Sequence, residues 1–239
     1  MDVTLSFKKY LENYKLAFSY SILFIFLLFI IDPFISMFGG TLNLSYNLVD
    51  APFVNMVVIL ITMLVLNFIY SLIQSVLIYK IGKDYHISET VPFKKIQQIF
   101  YKLLKFNFGF FLFIFLISAI LYDFNILNNI LVQLIFLIIS IALWFVPQIM
   151  VLENESIPKS MYLSIKYFSR NWFHFITLFL SAFILIIITS LLDILIPGVG
   201  GFIISTGFLV IFVIPFIEIL KTEIYLNKYN LLKPRHQLK

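Results

Sequence analysis

The chain contains no cysteine, which removes disulfides, thiolate metal sites and thiol nucleophiles from consideration. Charge is nearly as scarce: Asp, Glu, Lys and Arg make up 12% of the 239 residues, against about 25% in an average soluble domain. The three histidines (His86, His174 and His236) are far apart and form no HxxxH-type pair, which argues against a protein-only zinc site. Glycine and alanine are few, and this disfavours close helix packing of the GxxxG kind. Catalytic patterns are missing too, with no Ser-His-Asp set, no HExxH and no paired-acid signature. Gly198-Val199-Gly200-Gly201 lacks the Lys and Ser/Thr of a phosphate-binding loop and reads as a turn. No enzyme activity, metal or cofactor is therefore expected.

What is present is hydrocarbon. Apolar residues make up 62% of the chain, dominated by Phe, Leu and Ile. A water-soluble protein of this length has too much outside to solvate with such a composition; lipid makes it reasonable. A membrane helix needs about 20 mainly apolar residues. Six stretches qualify, near 16–38, 52–79, 106–124, 126–151, 172–194 and 200–221. At that depth the backbone must satisfy its own hydrogen bonds, so each stretch is predicted to be helical. The expected fold is all-α: one polytopic membrane domain over residues 1–239, with six spans arranged as three hairpins. The N-terminal region mixes Lys8, Lys9 and Lys15 with Asp2 and Glu12 and shows no small-x-small cleavage site. It reads as a retained first span rather than a cleaved signal.

The positive charges give the orientation. Three Lys/Arg fall in 1–15, six in 80–105, three in 159–170 and five in 221–239, the whole complement of 17. None lies in the connections near 39–51, 122–129 and 193–201, which carry Asp50, Asp123 and Asp193. Choosing charge-free spans forces charges into loops, but it does not force them to alternate by side. The positive-inside rule then predicts cytoplasmic N and C termini in a multi-pass protein of the cell membrane.

A basic amphipathic segment precedes each hairpin, so the chain reads as a weak triplication. Leu5-Ser6-Phe7-Lys8-Lys9 opens the first, Val91-Pro92-Phe93-Lys94-Lys95 the second and Ser156-Ile157-Pro158-Lys159-Ser160 the third. In the first, Phe7, Tyr10, Leu11, Tyr14 and Phe18 share a helical face opposite Lys8, Glu12 and Lys15. In the second, Ile96, Ile99, Phe100, Leu103 and Leu104 oppose Lys94, Lys95, Gln98, Lys102 and Lys105. In the third, Met161, Ile165, Phe168 and Trp172 form a stripe beside Lys159, Lys166 and Arg170. Helices of this kind lie in the headgroup plane with their cations toward anionic lipid. The ten cations at Lys8, Lys9, Lys15, Lys94, Lys95, Lys102, Lys105, Lys159, Lys166 and Arg170 thus form a candidate face for lipid or a protein partner. Nucleic acid is not an expected partner.

Polar residues within spans need a reason to be there. Asp32 before Pro33 fits a helix cap at the outer interface. Glu218 stands one turn after Pro215, with Lys221 three residues on as a possible ion pair. Asn67, Ser71 and Gln74 follow one stripe of the second span, and Gln148 follows Pro147 in the fourth. Asn67, Ser71, Gln74, Gln148 and Glu218 are the candidates for helix–helix contacts or for a polar pathway.

One segment also carries a family resemblance. Pro147-Gln148-Ile149-Met150-Val151-Leu152-Glu153, then Ile157-Pro158-Lys159-Ser160 through Ser164, then Asn171-Trp172, followed later by Pro215 to Thr222 and Tyr225, resembles prokaryotic six-span membrane proteins. These include the membrane domain attached to some glycerophosphodiester phosphodiesterases. The resemblance covers about a third of the chain, and Ser160 stands where that family usually has alanine. It implies the six-span fold and supplies no chemistry. The expected function is a membrane scaffold or accessory protein that binds lipid or a partner at its cytoplasmic face. A permease or transporter subunit for a polar solute is the alternative, and a lipid-acting enzyme containing Glu218, Glu153 and His174 in one cavity comes last.

Overall fold

A computed structural model describes residues 4–15, 18–19, 53–84, 93–123, 130–196 and 199–227. The first expected span, Asp32, the Gly39-Gly40 turn, His86, the 124–129 connection, Pro197-Gly198 and the C-terminal cations beyond 227 lie outside them. Among the described residues every regular element is helical. They are α1 (4–15), α2 (Phe53–Asp84), α3 (Phe93–Asp123), α4 (Ile130–Ala142), α5 (Val146–Leu152), α6 (Ile157–Arg170), α7 (Trp172–Leu195), α8 (Val199–Phe208), a π-helical turn (Leu209–Val213) and α9 (Ile214–Asn227). Four stretches, Ile96–Ile117, Ile130–Leu152, Trp172–Leu195 and Ile204–Asn227, are long and apolar enough to cross a membrane. Their outward side chains agree with that medium: Ile135 and Ile138 on α4, and Phe183, Ile184, Ile187 and Leu191 on α7, are all exposed.

Ile130–Leu152 is not one helix. It breaks at Leu143–Phe145, because Pro147 has no amide hydrogen for the Leu143 carbonyl and its ring crowds that oxygen. The Val146 amide takes the Leu143 carbonyl instead, at 3.1 Å. This leaves the Ala142 carbonyl without its helical donor, and the Ser164 hydroxyl of α6 fills the place at 2.7 Å. Ile204–Asn227 repeats the device. Pro215 cannot donate to the Ile211 carbonyl; the helix widens into the π turn just before it, and the Tyr10 hydroxyl of α1 reaches Ile211 O at 3.0 Å.

The second lead-in departs from expectation: it is not a separate interfacial helix, because α3 runs unbroken from Phe93 to Asp123 with no proline to interrupt it. In α1 and α6 much of the apolar face points outward, with Phe7, Leu11, Tyr14 and Ile165 exposed. The faces docked on the protein are smaller and more polar: Ser6, Tyr10 and Asn13 in α1, and Ser160, Ser164 and Tyr167 in α6. α3 buries Ile99, Leu103 and Phe106 at the same four-then-three spacing. Each segment thus has three faces: protein-facing, apolar and charged.

α2, α5 and α9 pack against one another and form the centre of the bundle. Around them, Ile78, Leu103, Val146 and Met150 make one apolar cluster, while Phe145, Tyr167, Phe175, Ile219 and Tyr225 belong to another. Phe145 lies 5.0 Å from Tyr167 and 4.8 Å from Phe175, both edge-on. Both clusters sit toward the helix ends that carry Lys80, Lys83, Lys102 and Lys105.

Candidate functional site

Where α2, α5 and α9 meet, their polar side chains converge on Glu218. One turn after Pro215, the helical spacing of α9 turns Glu218 inward, and its carboxylate is 2% exposed. Oε1 accepts from the Tyr70 hydroxyl at 2.8 Å, Gln74 Nε2 at 3.1 Å and Lys221 Nζ at 2.7 Å. Oε2 accepts from Gln148 Nε2 at 3.0 Å. Asn107 of α3 extends the network by donating to Gln74 Oε1 and Ser71 Oγ, each at 2.9 Å. Ser71 in turn donates to the Asn67 carbonyl at 2.7 Å. Four helices are tied through side chains that a purely apolar bundle would lack.

The electrostatics follow from burial. An isolated carboxylate at this depth would be strongly penalised. Lys221, 4% exposed, supplies the opposite charge within the same helix, so the pair is neutral as a unit. Among the described residues the buried Gln148 carbonyl oxygen has no hydrogen-bond partner, which leaves an acceptor beside the carboxylate. A cavity of about 280 Å³ adjoins the cluster. Tyr70, Ala182 and Ile186 line it, together with Leu209 and Val213 of the π turn and Ile214, Ile217 and Glu218 of α9.

Of the residues singled out in the sequence, Ser71, Gln74, Gln148 and Glu218 therefore lie in one connected network, which Asn67 enters through its backbone carbonyl. Glu153 and His174 do not line the cavity beside Glu218; Glu153 instead receives the Tyr225 hydroxyl at the end of α5. Tyr70 and Asn107 were not among the sequence candidates. Tyr70 reads as one aromatic among many, and its only sequence signal is that it precedes Gln74 by one helical turn. Asn107 is an isolated amide two residues past Lys105. Away from the carboxylate, the Ser164 hydroxyl donates to the Ala142 carbonyl and the Thr222 hydroxyl to the Glu218 backbone carbonyl, each at 2.7 Å.

The candidate basic face is spread over three elements. Lys8, Lys15, Lys105, Lys166 and Arg170 are exposed. Lys9 pairs with Glu12 at 3.1 Å, Lys159 with Glu155 at 2.6 Å, and Lys102 donates to Asn154 Oδ1 at 3.1 Å. Asn154 itself ends α5 with a φ of 54°, a conformation that asparagine adopts more readily than most residues. The side chains of Lys94 and Lys95 lie outside the described residues. Among the described residues no group of three or more His, Asp or Glu side chains comes together to hold a metal ion.

This fold and centre define a class: a helical protein with, among the described residues, four apolar stretches of membrane length and a buried polar junction. Comparison with protein-family models, curated proteins and solved structures returned no match.

Proposed function

We propose that this chain is a six-span protein of the cell membrane, built as three hairpins with both termini cytoplasmic, that serves as a scaffold or accessory protein. Its cytoplasmic face engages anionic headgroups or a partner protein through the cations of α1, α6 and the first turns of α3. The fold implied by the resemblance to six-span prokaryotic membrane domains is consistent with this reading. The observation that carries it is the use of the Glu218 network as a helix-to-helix tie. Tyr70, Gln74, Gln148 and Lys221 spend their donors on the carboxylate and hold helices together, as intramembrane hydrogen bonds commonly do. The permease reading draws on the same residues, and it asks for polar groups that face an opening. Here six of the eight residues lining the adjoining cavity are apolar.

Topology and headgroup preference are both measurable. Because the chain has no cysteine, single substitutions at Ser45, Asn128 and Lys8 give clean labelling. Reagent from outside the cell is expected to modify the first two and spare the third; the opposite pattern removes the scheme. In nanodiscs of phosphatidylcholine doped with phosphatidylglycerol, the combined variant Lys8→Gln/Lys15→Gln/Lys166→Gln is expected to lose enrichment of the anionic lipid. Each cation near such a surface contributes about 1 kcal/mol. Unchanged enrichment, or solute flux that Glu218→Gln abolishes, would favour the permease.

A further inference from the structure

We propose that the cavity beside Glu218 binds the hydroxyl-bearing end of a neutral lipid, with its chain against Ala182, Ile186, Leu209 and Val213 and its hydroxyl donating to Glu218. The walls state the ligand's chemistry. One end is polar, where the Tyr70 hydroxyl and Glu218 carboxylate meet at 2.8 Å, and the rest is hydrocarbon. An apolar body with a few placed polar groups is the usual composition of a small-molecule site.

The charge state selects among headgroups. Lys221 already neutralises Glu218 at 2.7 Å, so a cationic head would add an uncompensated buried charge. An anionic head would meet a carboxylate. A neutral donor meets neither penalty. The carboxylate also has a place for it: among the described residues Oε1 receives three donors, whereas Oε2 receives one, from Gln148. A carboxylate oxygen accepts about two hydrogen bonds, so Oε2 has room for one more.

Size and access fit a single chain. The volume, about 280 Å³, falls just below the range of roughly 300–1,000 Å³ for drug-sized ligands. Two features of the chain open the space. The π turn Leu209–Val213 widens the helix at the wall, and such turns recur at functional sites. Ala182 is one of only five alanines in the chain and leaves the α7 wall thin. Exposed apolar side chains on α7, among them Phe183 and Ile187, put hydrocarbon at the entrance. The site does not depend on the basic face and stands or falls separately from it.

The test uses the full chain in phosphatidylcholine nanodiscs and a diazirine-bearing oleyl alcohol. Crosslinks are expected on peptides containing Ala182–Ile186 or Leu209–Ile217. Oleyl alcohol should compete about tenfold better than methyl oleate, which has no donor, because one hydrogen bond separates them. Ala182→Phe fills the cavity and is expected to abolish labelling without changing the melting temperature. If that variant is destabilised, Ile186→Phe on the half-exposed part of the same wall takes its place. Equal competition by methyl oleate, stronger competition by oleylamine, or labelling that survives a folded cavity-filling variant would each overturn the assignment.

Discussion

Tyr10 donates its hydroxyl to the carbonyl of Ile211, 201 positions away in sequence. That oxygen is the one an α-helix would have bonded to residue 215, where proline has no amide hydrogen. Ser164 does the same for Ala142 above Pro147. In each case a hydroxyl from a surface helix completes a membrane-length helix that proline has opened. Intramembrane backbone groups must find partners, so these contacts bind α1 and α6 to the bundle more specifically than apolar packing does.

Tyr10→Phe retains the ring contact with Phe212, 5.0 Å between centroids, and deletes only the hydroxyl. The expected loss is about 1 kcal/mol, the net worth of one hydrogen bond. It should appear as faster amide exchange confined to α1 and residues 209–214. Ser164→Ala is expected to act likewise around residues 142–146. Exchange unchanged in both variants would show that the carbonyls need no such donor.

Tyr10 also gives α1 a pH dependence. Burial raises its pKa above the ordinary value of 10.0. Since the folded-state value is the higher one, the docked hydroxyl contributes fully below pH 10. The contribution is lost as pH rises from there through the folded value, because the undocked chain ionises first. Limited proteolysis between residues 4 and 15 should therefore accelerate above pH 10 in the parent protein. Tyr10→Phe should lack that particular step.

Glu218 and Lys221 should behave as a unit. Glu218→Gln alone leaves a buried ammonium without its counter-charge and is expected to destabilise by about 3–5 kcal/mol. Adding Lys221→Met should recover much of that loss, because both charges then leave together. Thermal unfolding of the four proteins in mild detergent measures the coupling. Strict additivity would mean that the two side chains act independently.

Two glycines should respond oppositely. A Cβ on Gly201 would collide with the Ile196 carbonyl oxygen, where backbone cannot yield cheaply. Gly201→Ala is expected to destabilise by about 1–3 kcal/mol, the range for overpacking. Around Gly109 nothing lies within 4 Å of that position. Gly109→Ala is expected to stabilise α3 by up to about 1 kcal/mol through helix propensity. Melting temperatures that move the same way would contradict this.

Local residues made some features legible and hid others. The bounds of α7 are legible to within a residue, because the apolar run from Trp172 to Leu195 carries only scattered polar side chains, such as Thr177, Ser181 and Asp193. The fused α3 is not legible, since it rests on the absence of any interruption over Phe93–Asp123; Pro147 marks a bend in the sequence but not the shape of the break. A proline removes a donor, but the resulting geometry depends on who supplies the substitute. The stripes of α1 and α6 are legible as periodicity, but which residues dock on the protein is not, because in lipid an apolar face need not seek the core. Of the Glu218 centre, Gln74 and Gln148 stood out as amides in apolar helices. Tyr70 did not, since an aromatic needs no excuse there.

The sequence by itself determined an all-helical chain of membrane-length apolar segments, with its cations gathered in alternate connections, because composition and period act within a single helix. Only the tertiary structure decided that α2, α5 and α9 meet around one carboxylate, and that Tyr10 and Ser164 complete distant helices. Those outcomes depend on which helices become neighbours, and hydrogen-bond donors remote in sequence are matched to acceptors only when they do.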